Sequence, residues 1–454
     1  MIERMLMVKW IQRFNTVMIL VPLMAMSQNP IVPNKGLNDP HVHIFKDTAY
    51  VYASHDKSIA NTRFIMEDWW VWSSPDLVNW NYRNTLSPEE TYIGKPFEGC
   101  WATDVAYRDG RYYWYFSEKN QQTGVMVADS PVGPWSDPLG KPLLTEDLTP
   151  TDEYDMALFE EDGEHYIIFG VWEYYIAKLN YDMISLAEEP KKIEINNPRG
   201  PYNKDGENKE KPTDDKPFVH KYNGKYYLSW GCFYAMSDQL YGPYEYKGTV
   251  ITKDSFAEGY DAPTWPNGFL QGRHGSFFEW HNQWYYAYCD ISQTGNRWFR
   301  DTFISYVHYK ENGEMATIRV DGTGVANYVA NEIIEAEAYF RTAGFVKQQQ
   351  GNGFMVRSNA QKAYLNFPNV KNLDDKKGIS LLAKSTEPSA YNIEIRRNGL
   401  DGPLLAKTTI HLTNDGFQSF EVSLTGLGET ENLYLLFSKK AGTSLEIDSL
   451  QFYN

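Results

Sequence analysis

Alternating apolar and polar positions mark five stretches of this chain as pairs of short β-strands. In each stretch, two runs rich in Tyr, Phe, Trp and Val flank a polar turn, which is Asp-Gly or Asn-Gly in three of them. Such turns between alternating runs are typical of β-hairpins. The five stretches are DPHVHIFKDTAYVYASHD (39–56), WATDVAYRDGRYYWYFSE (101–118), YDMALFEEDGEHYIIFG (154–170), DKPFVHKYNGKYYLSWG (215–231) and RHGSFFEWHNQWYYAYCD (273–290).

The hairpins recur at about the period of the blades of a β-propeller. Their aromatic anchors are Tyr50, Tyr112, Tyr166, Tyr226 and Trp284. The pattern predicts a five-bladed β-propeller over residues 29–330, closed by an early strand around Asn29–Asn34 that pairs into the last blade. A propeller brings the first residues of its inner strands to one mouth of the ring. We therefore expect one pocket to be surrounded by Asp39, Asp104, Asp155, Asp215 and His274.

The pattern changes after residues 321–324. From residue 333 onward the chain consists of short alternating runs such as GISLLAKS, YNIEIRR and LYLLFSK, without a helical period. Such runs at regular spacing are typical of an antiparallel β-sandwich. The predicted fold class is therefore all-β, with the propeller followed by a jelly-roll-like sandwich over residues 333–454.

Residues 1–27 have the features of a secretory signal peptide. Basic residues precede an apolar run from Val17 to Met26, and a small-residue site follows at Ala25-Met26-Ser27. The alternatives are an unusual N-terminal strand or a single-pass anchor. A cleaved signal would place the protein in the periplasm or outside the cell, without membrane insertion.

Composition narrows the partners. A formal charge of −16 and a pI near 5.1 argue against nucleic acid and anionic membranes. Aromatic residues make up 15% of the chain, which suits platforms for sugar rings as well as packing. Cys100, Cys232 and Cys289 lack metal-ligand spacing, so we expect packed thiols, with a disulfide between two of them as the alternative.

The ordered set of motifs resembles glycoside hydrolase family 43. The matching segments are Asp39-Pro40, WSSPDLVNW (72–80), Tyr154-Asp155 before FEEDGEHYIIFG, and PFVHKYNGKYYLSWG (217–231). The resemblance implies a five-bladed propeller that hydrolyses arabinose-, xylose- or galactose-containing glycans with inversion. It also implies a general base at Asp39, a residue that tunes the acid's pKa at Asp155, and a general acid at Asp215.

The acid position departs from the family pattern. The family usually has Glu-Gly-Pro or Glu-Ala-Pro before the Phe of the fourth inner strand, where this chain has Asp215-Lys216-Pro217. Aspartate is one methylene shorter than glutamate, so its carboxyl falls short unless the backbone shifts. The alternative acids are Asp214, Glu210 and Glu258.

Further residues are assigned to the pocket by position. The resemblance places His274 below the active site, where some members hold calcium through water, and Arg300 near a sugar hydroxyl. Trp101 and Trp172 are candidate sugar walls, with packing as the alternative reading. Asp104 is a candidate for the pocket wall or for a structural role.

The C-terminal region resembles family 6 carbohydrate-binding modules, on IIEAEAY at its start and LEIDSLQF at its end. That resemblance implies a structural calcium held by Glu335, Glu337 and Asp448. The family's stacking Trp corresponds to Phe417, so a purely structural partner for the propeller is the alternative to a glycan-binding module.

The main functional hypothesis is an exported, monomeric, inverting glycosidase that releases terminal arabinofuranosyl, xylosyl or galactosyl units from plant-type oligo- or polysaccharides. One alternative is a catalytically weak or silent glycan-binding propeller. A third is an enzyme for an unusual linkage that fits the shorter acid. Calcium is the expected ion, in the C-terminal domain and as a possible second ion near His274.

Overall fold

The computed structural model describes residues 28–202, 211–257, 260–439 and 441–454. Within these ranges the chain forms β-strands and three single-turn 3₁₀ helices, at Pro88–Glu90, Lys253–Ser255 and Ala336–Ala338. The predicted all-β class is confirmed. The helices in these ranges lack the length and apolar character needed to cross a membrane. The predicted signal peptide (1–27) and the alternative acids Glu210 and Glu258 lie outside the described residues.

The first part of the chain forms five separate sheets, each built from consecutive strands. The first two contain β1 (Leu37–Phe45), β2 (Thr48–Asp56), β3 (Met66–Ser74) and β4 (Asn81–Leu86), then β5 (Cys100–Arg108), β6 (Arg111–Glu118) and β7 (Gln122–Ala128). The third contains β8 (Ala157–Glu161), β9 (Glu164–Phe169), β10 (Tyr175–Lys178) and β11 (Lys191–Lys192). The fourth and fifth contain β12 (Ile195–Asn196), β13 (Pro217–Tyr222), β14 (Lys225–Trp230), β15 (Phe233–Ser237) and β16 (Tyr244–Thr249), then β17 (Gly275–Trp280), β18 (Gln283–Asp290) and β19 (Asp301–Val307). Neighbouring strands are antiparallel except β12 and β16.

All five predicted hairpins are present, and each has a two-residue turn. In the fourth sheet Tyr222 pairs with Lys225, and the turn residues Asn223 and Gly224 have φ of 47° and 79°. Positive φ at both turn residues is the type I′ geometry, which matches the right-handed twist of the strands. The other four turns also have two positive-φ residues. The turn chemistry therefore sets the register of each hairpin.

The five sheets are arranged in a ring. Strands β1, β5, β8, β13 and β17 contact one another in that order, and β17 contacts β1. The ring closes where the N-terminal segment meets β19: the Ile31 amide donates to the Thr302 carbonyl at 2.9 Å, and the Asn29 side chain bonds the backbone of Ile304.

The predicted early strand at Asn29–Asn34 is wrong in one respect, because this segment is not a β-strand. Pro30 and Pro33 have no amide proton to donate to a ladder. The segment instead contacts the last sheet through single backbone and side-chain bonds.

The C-terminal residues form two further sheets. Their strands are β20 (Tyr328–Val329), β21 (Ile334–Glu335), β22 (Arg341–Ala343), β23 (Phe345–Gln350), β24 (Gly353–Ser358), β25 (Lys362–Lys371), β26 (Gly378–Ser385), β27 (Ser389–Arg397), β28 (Leu404–Leu412), β29 (Gln418–Ser423), β30 (Thr430–Ser438) and β31 (Leu445–Tyr453). One sheet has the order β20-β25-β30-β27-β28, with β22 on β25, and the other β23-β24-β31-β26-β29, with β21 on β31. A single buried cluster includes Leu365 and Leu435 of the first sheet and Leu381 and Ile447 of the second, so the two sheets share one core.

Candidate active site

Equivalent positions in four sheets supply the residues at one mouth of the ring. Asp39, Asp155, Lys216 and His274 each precede the first residue of their hairpin turn by the same number of positions. Asp39, Asp155 and Lys216 share a left-handed backbone, with φ of 47°, 54° and 61°. This conformation is strained for residues with a Cβ and is found at functional sites. Asp215 reaches the mouth from the position before Lys216.

Arg300 holds the Asp39 carboxylate. Its Nη1 donates to both Asp39 oxygens at 3.1 Å, while Nη2 and Nε donate to Asn38 and Asp56 at 2.8–3.1 Å. Burial by itself raises the pKa of Asp39, but the Arg300 guanidinium, followed by His274, keeps that pKa well below its usual value. Asp39 is therefore the ionised carboxylate of the site. The Arg300 guanidinium, which was predicted to contact a sugar hydroxyl, therefore donates most of its hydrogen bonds to Asp39, Asp56 and Asn38.

His274 lies between the carboxylates of Asp39 and Asp215. Its Nδ1 is 3.2 Å from Asp39 Oδ1, and its Nε2 is 2.7 Å from Asp215 Oδ1 and 3.6 Å from Asp214 Oδ2. Burial lowers the pKa of His274, but the charges of Asp215 and the other two carboxylates outweigh it and raise that pKa well above its usual value. The imidazolium therefore links the first sheet to the fourth.

Asp155 is the site carboxyl that retains a proton. It is buried, and burial together with the nearby Asp215 and Asp39 charges raises its pKa well above the usual value. Its backbone amide donates to Ser117 Oγ at 2.9 Å, which fixes the chain just before β8. Like charges in one pocket oppose the ionisation of a further carboxyl, so Asp155 keeps its proton beside the charges of Asp215 and Asp39.

Asp214 is the alternative acid that lies within the described residues, and its side chain is more deeply buried than that of Asp215. Asp214 is 3% exposed, and its carboxylate accepts a 2.7 Å hydrogen bond from the Tyr202 hydroxyl. Burial first, and the charge of Asp215 second, raise the pKa of Asp214. The Asp215 side chain, by contrast, is 28% exposed and lines the cavity. Asp215 is therefore the better placed of the two to meet a ligand.

The cavity at this mouth has a volume of about 150 Å³. Six predicted residues line it, namely Asp39, Trp101, Asp155, Asp215, His274 and Arg300. Four lining residues were not predicted: Phe64, Met66, Asn120 and Tyr154. Tyr154 directly precedes Asp155, so the prediction of Asp155 as a site residue also pointed to Tyr154. Phe64 lies in the loop before β3, and Met66 is the first residue of β3. Nothing in the local sequence pattern at either position indicates a pocket.

An aromatic wall bounds one side of the cavity. The Phe64 and Trp101 rings meet edge to face with centroids 6.3 Å apart, and the Arg300 guanidinium carbon lies 4.8 Å from the Phe64 centroid. The Trp101 indole nitrogen donates to Asn120 Oδ1 at 2.6 Å. Trp101 is therefore held in one orientation beside the carboxylates.

Two predicted contacts lie outside the cavity lining. Asp104 is fully buried: its Oδ1 lies 2.7 Å from His41 Nδ1 and 2.6 Å from His43 Nε2, and its Oδ2 accepts from the Leu158 amide. The structural reading of Asp104 is therefore the one the geometry favours. Trp172 packs on Tyr202, with ring centroids 5.2 Å apart, beside the lining residues.

The three cysteines are free and buried, as expected for packed thiols. Cys289 lies against the site: the Asp39 amide donates to its Sγ at 3.1 Å, and Sγ is 3.5 Å from Asp39 Oδ1. The thiol therefore helps to fix the strained backbone at Asp39.

The fit of metal ions differs between the two expected places. Near His274 the ligand atoms of Asp214, Asp215 and His274 lie within 4.8 Å of one another. Both His274 ring nitrogens face carboxylates, at 3.2 and 2.7 Å, so a protonated imidazole already supplies the positive charge there and the fit of a metal ion is poor. In the C-terminal region Glu335 and Asp448 come from the paired strands β21 and β31. Burial first, then Glu335 and Asp448, raise the pKa of Glu337 to about 8, and its Oε2 is buried without a hydrogen-bond partner. An oxygen-rich set of this kind fits a hard cation such as calcium.

The candidate stacking residue of the C-terminal region is partly exposed. The Lys384 ammonium lies 4.7 Å from the centroid of the Phe417 ring. A cation over the ring face occupies the surface on which a sugar would stack.

Residues 27–315 match the model of a family described as Glycosyl hydrolases family 43. A xylosidase/arabinosidase of Bacteroides ovatus is 29% identical, with 63% of this chain and 96% of that protein covered. An arabinoxylan arabinofuranohydrolase of Paenibacillus polymyxa is 26% identical, with 94% and 74% covered. The structure of a family 43 arabinoxylan arabinofuranohydrolase from Bacillus subtilis, in complex with cellotetraose, is similar in fold, with a TM-score of 0.55 and 21% identity over 95% of this chain and 98% of that one.

Proposed function

The chain belongs to glycosyl hydrolases family 43 and is a glycosidase, and we propose that it releases terminal arabinofuranosyl or xylosyl units from arabinoxylan-type glycans with inversion. The sugar class is supported by the similarity to a xylosidase/arabinosidase and to an arabinoxylan arabinofuranohydrolase. The chemistry is supported by the carboxylates at the mouth of the ring.

The observation that carries the proposal is the placement of His274 between Asp39 and Asp215. One imidazole separates the two carboxyl oxygens, with contacts of 3.2 and 2.7 Å. These contacts put the oxygens at most about 8 Å apart, compatible with the separation of roughly 6.5–9.5 Å that leaves room for water in inverting enzymes.

Asp39 is the base in this mechanism. Arg300 keeps it ionised, so it accepts a proton from the water that attacks the anomeric carbon. The guanidinium bonds both carboxylate oxygens in the resting site, which limits their rotation. The base is thus charged and oriented before the substrate arrives.

The acid is drawn from the Asp155–Asp215 pair. Burial and the nearby charges of Asp215 and Asp39 raise the pKa of Asp155, and Asp215 presents its carboxyl to the cavity. Asp215 donates the proton to the departing oxygen, while Asp155 helps to retain that proton beforehand. Despite the shorter reach of aspartate, the Asp215 side chain lines the cavity.

The cavity favours a chain end. Its volume of about 150 Å³ is small against the roughly 300–1,000 Å³ typical of ligand pockets. Trp101 and Phe64 provide apolar walls for one sugar ring. We therefore propose removal of single terminal units.

The architecture follows from the same assignment. We propose that the five ring-arranged sheets are the blades of a propeller over residues 29–330, and that the two C-terminal sheets form a sandwich over residues 333–454. Glu335, Glu337 and Asp448 would hold a calcium ion that joins the two ends of the sandwich. Export through a signal in residues 1–27 would bring the enzyme to its polysaccharide.

The test is hydrolysis of a panel of aryl α-L-arabinofuranosides, β-D-xylosides and galactosides, followed by proton NMR of the first product anomer. The proposal predicts release of one sugar whose anomeric configuration is opposite to that of the substrate. Asp39→Asn serves as the blank for contaminating activity. Retention of configuration would refute inversion, and binding of arabinoxylan oligosaccharides without hydrolysis of any panel member would favour a silent glycan-binding protein.

A further inference from the structure

Lys216 is a buried lysine at the floor of the active site. It occupies the same ring position as Asp39 and Asp155, with the same left-handed backbone, and is 1% exposed. A fully buried lysine is rare unless its charge is paired. Glycine adopts this backbone without strain, so the backbone alone does not require a lysine here.

The Lys216 ammonium is fixed by a buried hydrogen-bonded chain. Its Nζ contacts His41 Nε2, and His41 Nδ1 lies 2.7 Å from Asp104 Oδ1. Burial first, then the Lys216 charge among the other neighbours, keeps His41 neutral, with a pKa lowered to about 4. A neutral imidazole can accept a hydrogen bond from the ammonium at one nitrogen and donate a hydrogen bond to Asp104 from the other.

The same geometry argues against a metal ion among His41, His43 and Asp104. Their ligand atoms lie within 4.8 Å of one another. The contacts of 2.6 and 2.7 Å between nitrogen and oxygen, however, are hydrogen-bond distances, and an ammonium occupies the remaining His41 nitrogen. The cation of this cluster is the lysine itself.

Burial lowers the pKa of Lys216, whereas the carboxylates that face its ammonium from several elements, Asp104 first, act to raise it. The charged and titratable groups around it are Asp39 and His41 from β1, Asp104 from β5, Asp155 ahead of β8 and Cys289 from β18. Beyond this shell, Asp215 and Asp214 add further negative charge on the other side of His274. A positive charge below these acids compensates their repulsion.

We propose that Lys216 is a positioning residue that serves as the built-in cation of the active site, so that this centre works without a metal ion. The proposal rests on the proposed glycosidase function. Lys216 stabilises the ionised forms of Asp39 and Asp155 from below, while Arg300 and His274 act from the sides. The ion expected near His274 is then unnecessary, which agrees with the poor fit described above.

The first experiment compares Lys216→Met with wild type in the pH dependence of kcat/KM on an aryl glycoside. Loss of a nearby opposite charge raises a carboxyl pKa by about 1–3 units, so both limbs of the profile should move to higher pH. Lys221→Met is the matched control, because Lys221 lies on β13, the strand that begins directly after Lys216, but pairs with Glu161 at the surface. Its profile should overlay that of wild type, whereas a uniform drop of Lys216→Met at every pH would overturn the proposal.

The second experiment uses Lys216→Gly, which also relieves the left-handed backbone and serves if Lys216→Met does not fold. Adding n-butylammonium replaces the deleted side chain and should restore activity saturably, moving both limbs back towards the wild-type profile. The uncharged n-butanol should have no such effect. Equal rescue by the alcohol would show that volume, not charge, is needed.

A third experiment tests metal dependence with wild type and Asp448→Asn. This variant lacks a proposed calcium ligand on β31 of the C-terminal sheets. A chelator and added calcium should leave the initial rate of both unchanged. Loss of rate on chelation in Asp448→Asn, restored by calcium, would overturn the proposal.

A thermal experiment separates this inference from the proposed function. If wild type hydrolyses no glycoside, the proposed function fails, and Lys216 is then judged by Tm. Without the cation, ionising Asp39 and Asp155 becomes costly, so the Tm difference between wild type and Lys216→Met should widen as the pH rises. A difference that is constant with pH would overturn the role of Lys216.

Discussion

Replacing Arg300 with methionine tests whether this guanidinium keeps Asp39 ionised. In wild type Arg300 bonds both oxygens of Asp39 at 3.1 Å and those of Asp56 at 3.0 and 3.1 Å. Both carboxylates are buried, and burial raises the pKa of Asp56 to about 6 even beside Arg300. Arg300→Met leaves both without this partner. Breaking a buried pair costs about 3–5 kcal/mol, and one pKa unit is about 1.36 kcal/mol, so the Asp39 pKa should rise by about 2–4 units.

The stability of the variant should depend on pH in the opposite sense to wild type. In wild type the lowered pKa of Asp39 contributes stability that is present above its unfolded pKa and is lost as the pH falls through the folded value. In Arg300→Met the Asp39 pKa returns towards its unfolded value, while the pKa of Asp56, raised to about 6 even beside Arg300, rises further above its own unfolded value. Ionisation of Asp56 then opposes folding, so this variant gains stability as the pH falls through the raised value. The two Tm values should be far apart near neutral pH and converge in acid.

The assay is kcat/KM on an activated aryl glycoside across the acidic and neutral range. The acid limb of Arg300→Met should lie about two pH units above that of wild type, so the loss of activity is larger in acid than at neutral pH. Arg111→Met is the control, since Arg111 is exposed at the start of β6 with a 60% exposed side chain. Profiles of Arg300→Met and wild type that differ by a constant factor at every pH would refute the reasoning.

Three further outcomes are expected. Asp39→Asn should lower kcat by about 10²–10⁴-fold or more, with a cooperative thermal unfolding transition and retained binding of the product sugar by calorimetry; near-normal turnover would remove the base assignment. Asp215→Ala should slow substrates with poor leaving groups far more than activated aryl glycosides, and Asp215→Glu should preserve or improve activity, because the longer side chain restores the family's usual reach; equal insensitivity of both substrate types to both changes would mean that the proton comes from another group. Calcium should raise the Tm of wild type and not of Asp448→Asn, as followed by scanning calorimetry, and an equal rise in both would exclude Asp448 as a ligand.

Local chemistry made the hairpins predictable. In three hairpins an Asp-Gly or Asn-Gly pair specifies a two-residue turn with positive φ, and in the other two the turn residues are Lys46-Asp47 and His281-Asn282. The aromatic runs on either side leave one register, so all five hairpins follow from the sequence. The strand order across the ring depends on contacts between sheets, which periodicity alone does not contain. The N-terminal segment shows the limit: its proximity to the last sheet was predicted, but its two prolines prevent the predicted strand.

The candidate site was predictable only where a residue begins a repeat. Asp39, Asp155 and His274 were found in this way. Lys216 occupies the same position in the fourth sheet, although the family pattern predicts the acid at the neighbouring Asp215. Phe64 enters the cavity from a loop, and such placement depends on long-range packing. For the same reason Arg300 was assigned to the ligand, although the geometry gives its donors to Asp39 and Asp56.

The contact between residues 28–34 and β19 has a consequence for solubility. Strand β19 pairs with β18 on one side only, so its other side would present a row of unpaired backbone groups. Exposed edges of this kind are templates for pairing with other molecules. Asn29 and Ile31 occupy the polar groups of Thr302 and Ile304 on that side, while Pro30 adds no amide donor of its own. The segment that closes the ring therefore also protects the last sheet against intermolecular strand addition.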